Sequence, residues 1–375
     1  MRLTKLSLVQ FRNYIEQQVL FSPHLNLVFG SNGQGKTNLI EAIYVLALSK
    51  SFRTHLPTDL INRDFQQFHL AGNILAEGGE VVLTLEQDRS KKVLQVNSIK
   101  HDVFTYVQHF PLIAFSSIHL EQFKSESEQR RRLIDRGLCQ LQPIHLRRLS
   151  DYYRVLKQKN SLLRQAPSVY NTESIELIEV WNLQLAELGA KIIESRSTYI
   201  SKVKEKLASP SQRLAPEISD IQYIACNEVT PNASLPDIRE QVHRKLKENR
   251  EREIRSGRSL VGPHRDEIVI EINGKSARRY ASAGQLRSSL INYYLAQMEL
   301  AFERLGEYPA FLIDDVDSEL DGVRINQLLE ILRSKAQIFV TTTKPELIRP
   351  SCPAESVWRL LVEEGRVRQV SSPPH

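Results

Sequence analysis

Cysteine is scarce and scattered in this chain: Cys139, Cys226 and Cys352 stand far apart. Disulfide frameworks and zinc sites draw on close pairs, so both are excluded and the three thiols read as small buried hydrophobes. No apolar run approaches the roughly 18 residues that a membrane span needs. The opening MRLTKLSLVQFRNY lacks the apolar core and small-residue cleavage site of a secretion signal, which predicts a cytoplasmic chain with no membrane partner. Internal repeats and low-complexity tracts are also missing. What is present is ordinary globular material: 41% hydrophobic and 25% charged residues over 375 positions, enough for two packed units or one domain with a large insertion. The net charge of +6 is compatible with a polyanionic partner, so the distribution of charge must decide.

The first 29 residues read as strands, with Leu3, Leu6 and Leu8 followed by Leu25 to Phe29, which ends at a glycine. Leu39, Ile40, Ile43, Leu46 and Ala47 then recur at helical spacing over 36–48. Between Phe68 and Phe115, β-like stretches such as 81–85 and 93–96 alternate with turn formers, which predicts an antiparallel lobe. After about residue 125, glycine and proline thin out. Ile178, Trp181, Leu185, Leu188 and Ile192 step by three and four, with Tyr199 and Val203 back in phase. Leu149, Tyr152, Leu156 and Leu163 form a sparser seam, and Pro167 with Tyr170, Asn171 and Thr172 separates the two. This predicts two antiparallel helices, either a projecting arm or an ordinary helical subdomain. Residues 239–258 carry eight basic side chains against four acidic ones, as a solvated helix or a nucleic-acid face would. Farther on come a strand at 268–272 running into Asn273-Gly274, a helix from Gln285 to Leu305, strands at 311–313 and 338–340 around a helix over 321–334, and a frayed tail at 371–375.

The chemistry begins with Gly30, Ser31, Asn32, Gly33, Gln34, Gly35, Lys36 and Thr37, a full G-x-x-x-x-G-K-[ST] loop between a predicted strand and a predicted helix. Glycines let backbone N–H groups turn around phosphate oxygens, Lys36 reaches the β and γ phosphates, and the Thr37 hydroxyl suits magnesium. Phe311-Leu312-Ile313-Asp314-Asp315 brings two carboxylates to the C-terminal end of an apolar strand, where α/β folds bind ligands. Asp314 suits magnesium, and Asp315 suits an acceptor that polarises water. The implied cofactors are ATP and Mg2+. Ser282-Ala283-Gly284-Gln285 precedes the helix leading into that strand, where cassette ATPases carry a signature that meets the other subunit's nucleotide. Ser318 to Asp321 follows as their D-loop does.

Taken in order, Phe11-Arg12-Asn13-Tyr14, the phosphate loop through Asn38, Ser51-Phe52-Arg53-Thr54, Val261 to Asp266 and Asp314 to Asp321 resemble the RecF family of bacterial DNA replication and repair proteins, similar to the heads of the SMC and Rad50 ATPases. The resemblance covers essentially the whole chain. It implies an α/β fold, an ABC-type P-loop ATPase head with an inserted α-helical arm, divided as head at 1–125, arm at 126–250 and head at 251–375. It further implies an ATP-dependent homodimer that closes on DNA at single-strand gaps, a weak DNA-stimulated ATPase acting as a switch, the partners RecO and RecR, and a DNA or nucleotide contact for Arg53. Ser282, Gly284 and Gln285 would then touch the nucleotide of the opposite subunit, with Asp321 in the D-loop. Two features depart from the family: Ser117 to Leu120 with Ser125 to Ser127 replaces its usual loop, and Thr342 stands where a cassette ATPase has a switch histidine. Slow hydrolysis is the expectation. Two other functions compete, a non-hydrolysing DNA scaffold and a transporter ATPase subunit; the helical insertion and Thr342 argue against the transporter.

Overall fold

The computed structural model describes residues 1–165, 172–208, 219–349 and 357–370. Among these, 1–121, 283–349 and 357–370 form one compact unit and 122–165, 172–208 and 219–282 a second. The first begins with β1 (Arg2–Phe11), β2 (Tyr14–Leu20) and β3 (Leu25–Phe29), followed by helix α1 (Lys36–Leu48). Strands β4 (Gln67–Ala76), β5 (Gly79–Asp88), β6 (Lys92–Val96) and β7 (Ile99–Lys100) join β1 and β2 in a six-stranded antiparallel sheet of order β2-β1-β4-β5-β6-β7. The alternating pattern of β4 and β5 turns Leu70, Ile74, Leu83 and Leu85 to one face, which is fully buried. Helix α2 (Val103–Tyr106), strand β8 (Leu112–Phe115) and helix α3 (Ser117–Lys124) follow.

The second unit contains α4 (Ser127–Leu141), α5 (Pro143–Gln165) and α6 (Thr172–Ala208), then β9 (Ser219–Ile224), α7 (Leu235–Glu248) and α8 (Arg250–Ser256). Strand β10 (Glu267–Ile272) pairs with β9 and, through the left-handed pair Asn273 and Gly274, with β11 (Lys275–Ser276) before the short α9 (Ala277–Tyr280). The two predicted helical seams are present, but a third helix shares them. Tyr152, Leu156, Leu185 and Ile192 pack in one cluster with Ile238, Val242 and Leu246 of α7. Those three residues are the i, i+4, i+8 stripe of α7, so the charge-dense stretch 239–258 is the rest of this amphipathic helix, whose outer face carries charge, followed by the separate short helix α8. Residues 251–282, read from the sequence with the head, lie in this unit because β10 forms its ladder with β9. Pro167, Tyr170, Asn171, Cys352 and the 371–375 tail fall outside the described residues.

The first unit resumes with α10 (Ala283–Leu305), β12 (Ala310–Ile313), α11 (Val316–Glu319), α12 (Gly322–Arg333), β13 (Ile338–Thr342), β14 (Val357–Glu363) and β15 (Arg366–Val370). The second sheet has the order β15-β14-β3-β13-β12-β8 and is parallel apart from the β15 edge. Its central strands are buried along their whole length, as a parallel sheet covered on both faces requires. Helix α1 is apolar around its circumference, with Leu39, Ile40, Ala42, Ile43, Leu46 and Ala47 all buried in a core shared with residues of both sheets. Among the described residues, no helix is long and apolar enough to cross a membrane.

Candidate nucleotide site

Parallel pairing decides where the motifs meet. Phe29 of β3 lies opposite Thr342 of β13, and Val340 opposite Ile313 of β12, so all three strands end at one edge. The loop after β3 holds Gly30 to Lys36, and the residues after β12 are Asp314 and Asp315. The two motifs, 277 positions apart, touch at that edge: the Thr37 hydroxyl donates to Asp314 Oδ1 at 3.1 Å. Lys36 Nζ donates to the carbonyl oxygens of Gly30 (2.7 Å) and Ser31 (2.9 Å). Burial lowers the Lys36 pKa, and the nearby carboxylates of Asp315, Asp317 and Asp314 oppose that shift. Burial likewise raises Asp314 above the usual carboxylate range, against hydrogen bonds from Thr341 and Thr37. One ammonium among three carboxylates at a strand edge is an arrangement for a polyanion accompanied by a hard cation.

Thr341 escaped the sequence reading, yet its hydroxyl orders both acids. It donates to Asp314 Oδ1 at 2.8 Å and accepts from the Asp315 backbone N–H at 2.6 Å. A polar residue near the end of an otherwise apolar strand was the available signal. Asp315 is exposed and left-handed, with φ 54°. Asp317 accepts from the Thr343 backbone N–H and hydroxyl. Burial pushes Asp317 upward, but hydrogen bonds from Thr343 and Thr342 outweigh it and hold the carboxyl below its ordinary value. Thr342 itself is fully buried in the ladder beside Phe29, and its hydroxyl accepts from Lys344 N.

Two turns brace the phosphate loop from outside. The β1–β2 turn sends the Asn13 amide to the Gln34 carbonyl at 3.0 Å and the Tyr14 hydroxyl to the Gly35 carbonyl at 3.0 Å. The β14–β15 turn supplies Gly365 N–H to the same Gln34 carbonyl, at 3.1 Å. In a trans peptide the N–H points opposite the C=O, so anchoring these two carbonyls outward turns the N–H groups of Gly35 and Lys36 into the loop. Gly35 has φ 119°, and a Cβ there would stand 2.7 Å from the Asn13 amide nitrogen, which leaves glycine as the residue that fits. Asn13 and Tyr14 were visible in the sequence as part of a motif without a role. A wide cleft of about 1240 Å³ opens beside the loop, with Asn13, Gly30, Asn32, Thr343, Glu363 and Gly365 in its wall.

The remaining candidates lie elsewhere. Ser282 is exposed immediately before α10. A Cβ on Gly284 would meet the Arg324 guanidinium at 3.3 Å, and Arg287 pairs with Glu319 at 2.9 Å, so the start of α10 neighbours the D-loop segment of its own chain. Gln285 occupies the first turn of α10. Asp321 caps α12, accepting from Arg324 N at 2.9 Å, and its side chain is 60% exposed. Arg53 donates to Asn38 Oδ1 (2.8 Å) and Glu41 Oε2 (3.2 Å). His119, in the segment that departs from the family pattern, sits in the core among Tyr44, Phe52 and Tyr294.

The Val261 to Asp266 motif is resolved by the second unit's interior. Gly262 has φ 128°, and a Cβ there would collide with the Tyr152 hydroxyl at 2.2 Å. His264 Nε2 bonds the Ser259 carbonyl at 3.2 Å and Nδ1 the Tyr152 hydroxyl at 2.6 Å, the pattern of a neutral ring; burial holds its pKa down to about 3. Asp266 and Asp135 flank Arg196, which is 1% exposed. Apart from the exposed Arg265, this motif is an interior brace.

The family model described as RecF/RecN/SMC N terminal domain matches residues 2–368. The DNA replication and repair protein RecF of Staphylococcus carnosus is 37% identical over 350 residues, 92% of this chain and 94% of that protein. RecF of Streptococcus thermophilus is 36% identical, covering 98% of both chains. A solved structure of the recombination mediator protein RecF with ATP superposes with a TM-score of 0.90 at 29% identity, over 98% of this chain and 97% of that one. An SMC head bound to the C-winged helix domain of ScpA shares the fold at a TM-score of 0.56 and 14% identity. With the phosphate loop and the paired aspartates meeting at one edge of such a head, the chain belongs to the RecF family of DNA replication and repair proteins, built on the SMC-type ATPase fold.

Proposed function

We infer that this chain is an ATP-dependent DNA-binding protein of recombinational repair, in which ATP joins two heads into a clamp on DNA and slow hydrolysis releases it. The observation that carries the reading is the contact of Thr37 with Asp314, which gathers Lys36 and three carboxylates at one strand edge. Lys36 would pair with the β and γ phosphates, while the N–H groups of the loop and the start of α1 receive phosphate oxygens. Thr37 and Asp314 present adjacent oxygen ligands suited to Mg2+, which would neutralise phosphate charge. Asp315, exposed at the same edge, would accept the proton of an attacking water. Within one chain the start of α10 lies beside Glu319 and Arg324. That placement supports a composite site in which Ser282, Gly284 and Gln285 face the nucleotide of a second copy and Asp321 lines the seam. Kinship with a recombination mediator of the RecFOR pathway supports gapped DNA as substrate, RecO and RecR as partners and a cytoplasmic place of action.

Replacing Lys36 with Met removes a charge-assisted contact worth about 1.5–3 kcal/mol, so ATP affinity measured by calorimetry is expected to fall at least about tenfold. Sedimentation with ATP is expected to lose the dimer in the same variant. Unchanged ATP affinity would overturn the assignment of residues 30–37. A Ser282→Arg variant is expected to bind ATP normally as a monomer yet fail to dimerise; normal dimerisation and turnover would reduce the signature to a helix cap.

A further inference from the structure

Glu41 is the single acidic residue of α1, one turn past Thr37, and it is fully buried in a helix otherwise lined by apolar contacts. Its carboxylate gathers two cations from different loops. Arg12, in the β1–β2 turn, donates from Nε and a terminal nitrogen at 2.8 Å each, while Arg53, beyond the end of α1, reaches Oε2 at 3.2 Å and Ser51 Oγ bonds Oε1 at 2.5 Å. The Arg12 pair is bidentate and closed. Arg53 has a second attachment: the same terminal nitrogen donates to Asn38 Oδ1 at 2.8 Å. From there the bonds run in one direction. Asn38 Nδ2 donates to Asn13 Oδ1 at 2.8 Å, and Asn13 Nδ2 donates to the Gln34 carbonyl at 3.0 Å. Every amide in the chain accepts on the arginine side and donates on the loop side, so each bond polarises the next and the guanidinium charge heads the series.

We propose that Glu41, Arg53, Asn38 and Asn13 form a positioning relay that holds the Gln34 carbonyl outward and thereby keeps the Gly35 N–H aimed at a bound phosphate. Arg53 is then a positioning residue for the phosphate loop, acting within one chain and without DNA. Glu41 anchors the head of the relay, because two guanidiniums cannot share that corner without a carboxylate between them. The relay is solvent-exposed at Asn38 and Asn13, which limits each link to the modest net worth of a hydrogen bond in competition with water.

The inference rests on the reading of residues 30–37 as a nucleotide site, and the test separates the two. ATP and ADP affinities are measured by calorimetry on the full chain in the absence of DNA, with melting temperature recorded for each variant. Neutral replacements Asn13→Leu and Asn38→Leu are each expected to weaken both nucleotides about fivefold, and the double variant no more than the worse single one, since serial links fail together. Arg53→Met removes the head of the same series and is expected to cost no more than about fivefold, with Arg53→Lys restoring most of it because an ammonium can reach both acceptors from one nitrogen. Multiplicative losses in the double variant, or an Arg53→Met protein with parental nucleotide affinity, would overturn the relay. If Lys36→Met also leaves affinity untouched, the nucleotide site itself is wrong; if it weakens binding while the relay variants do not, the relay alone falls.

Discussion

Two buried carboxylate clusters, one in each unit, use the same chemical parts to opposite ends. In the second unit the Arg196 guanidinium is fully engaged: Nε and one terminal nitrogen hold Asp135 at 2.8 Å, and the other holds the Pro263 carbonyl at 2.7 Å and Asp266 at 3.0 Å. Asp266 is itself filled by Tyr223 and the Cys226 N–H. In the first unit Glu41 is as buried as Asp266, but its arginines are 19% and 35% exposed and one of them extends a bond chain to the phosphate loop. A sealed cluster fixes a fold. An open one leaves a guanidinium that extends hydrogen bonds toward the phosphate loop.

The largest expected effect is at Arg196. Its replacement by Met strands two carboxylates in a closed interior, and the second unit is expected to lose about 3–5 kcal/mol in urea denaturation. A loss below about 1 kcal/mol would mean that water reaches Asp135 and Asp266 and that the cluster is not sealed. A smaller effect comes from acid. His264 has a folded pKa depressed to about 3 against roughly 6.5 unfolded. The unfolded chain therefore binds the extra proton in that window, and the stability this neutral ring contributes is complete above pH 6.5 and lost as pH falls toward 3. About 2 kcal/mol should disappear between pH 7 and 5, and His264→Gln should flatten that slope. An unchanged slope would place the titrating group elsewhere. The mildest expected change is at the open site: Asp314→Asn relieves the burial of a charge whose pKa is raised, so the melting temperature should rise by about 2 °C at pH 7 while magnesium-dependent ATP binding declines. Because a raised carboxyl costs most when ionised, the rise should shrink as pH drops toward 4. A fall in melting temperature at pH 7 would show that Asp314 is structural.

Much of the site was legible in the sequence. The phosphate loop announces itself through glycines at fixed spacing between an apolar strand and a helix, and the paired aspartates through the strand that precedes them. Both signals are local. Asn13, Thr341 and Gly365 carried no comparable signal, since each acts across a separation of 21 residues or more, and Glu41 carried none because its partners Arg12 and Arg53 lie on separate loops 29 and 12 residues away. The helical seams of 149–203 were legible as periodicity, but the third helix sharing them was masked by its own charge density, because a narrow apolar stripe in a net-basic stretch reads first as solvated surface.

By itself the sequence determined which elements form and which chemistry each loop is able to carry, because periodicity, turn residues and motif spacing act over a few neighbouring positions. Tertiary structure decided which loops meet. The parallel order β3-β13-β12 brings Thr37 against Asp314, and the antiparallel pairing of β9 with β10 draws residues 251–282 into the second unit. Strand neighbours are chosen by burial of whole faces across hundreds of residues, a sum that no local window contains.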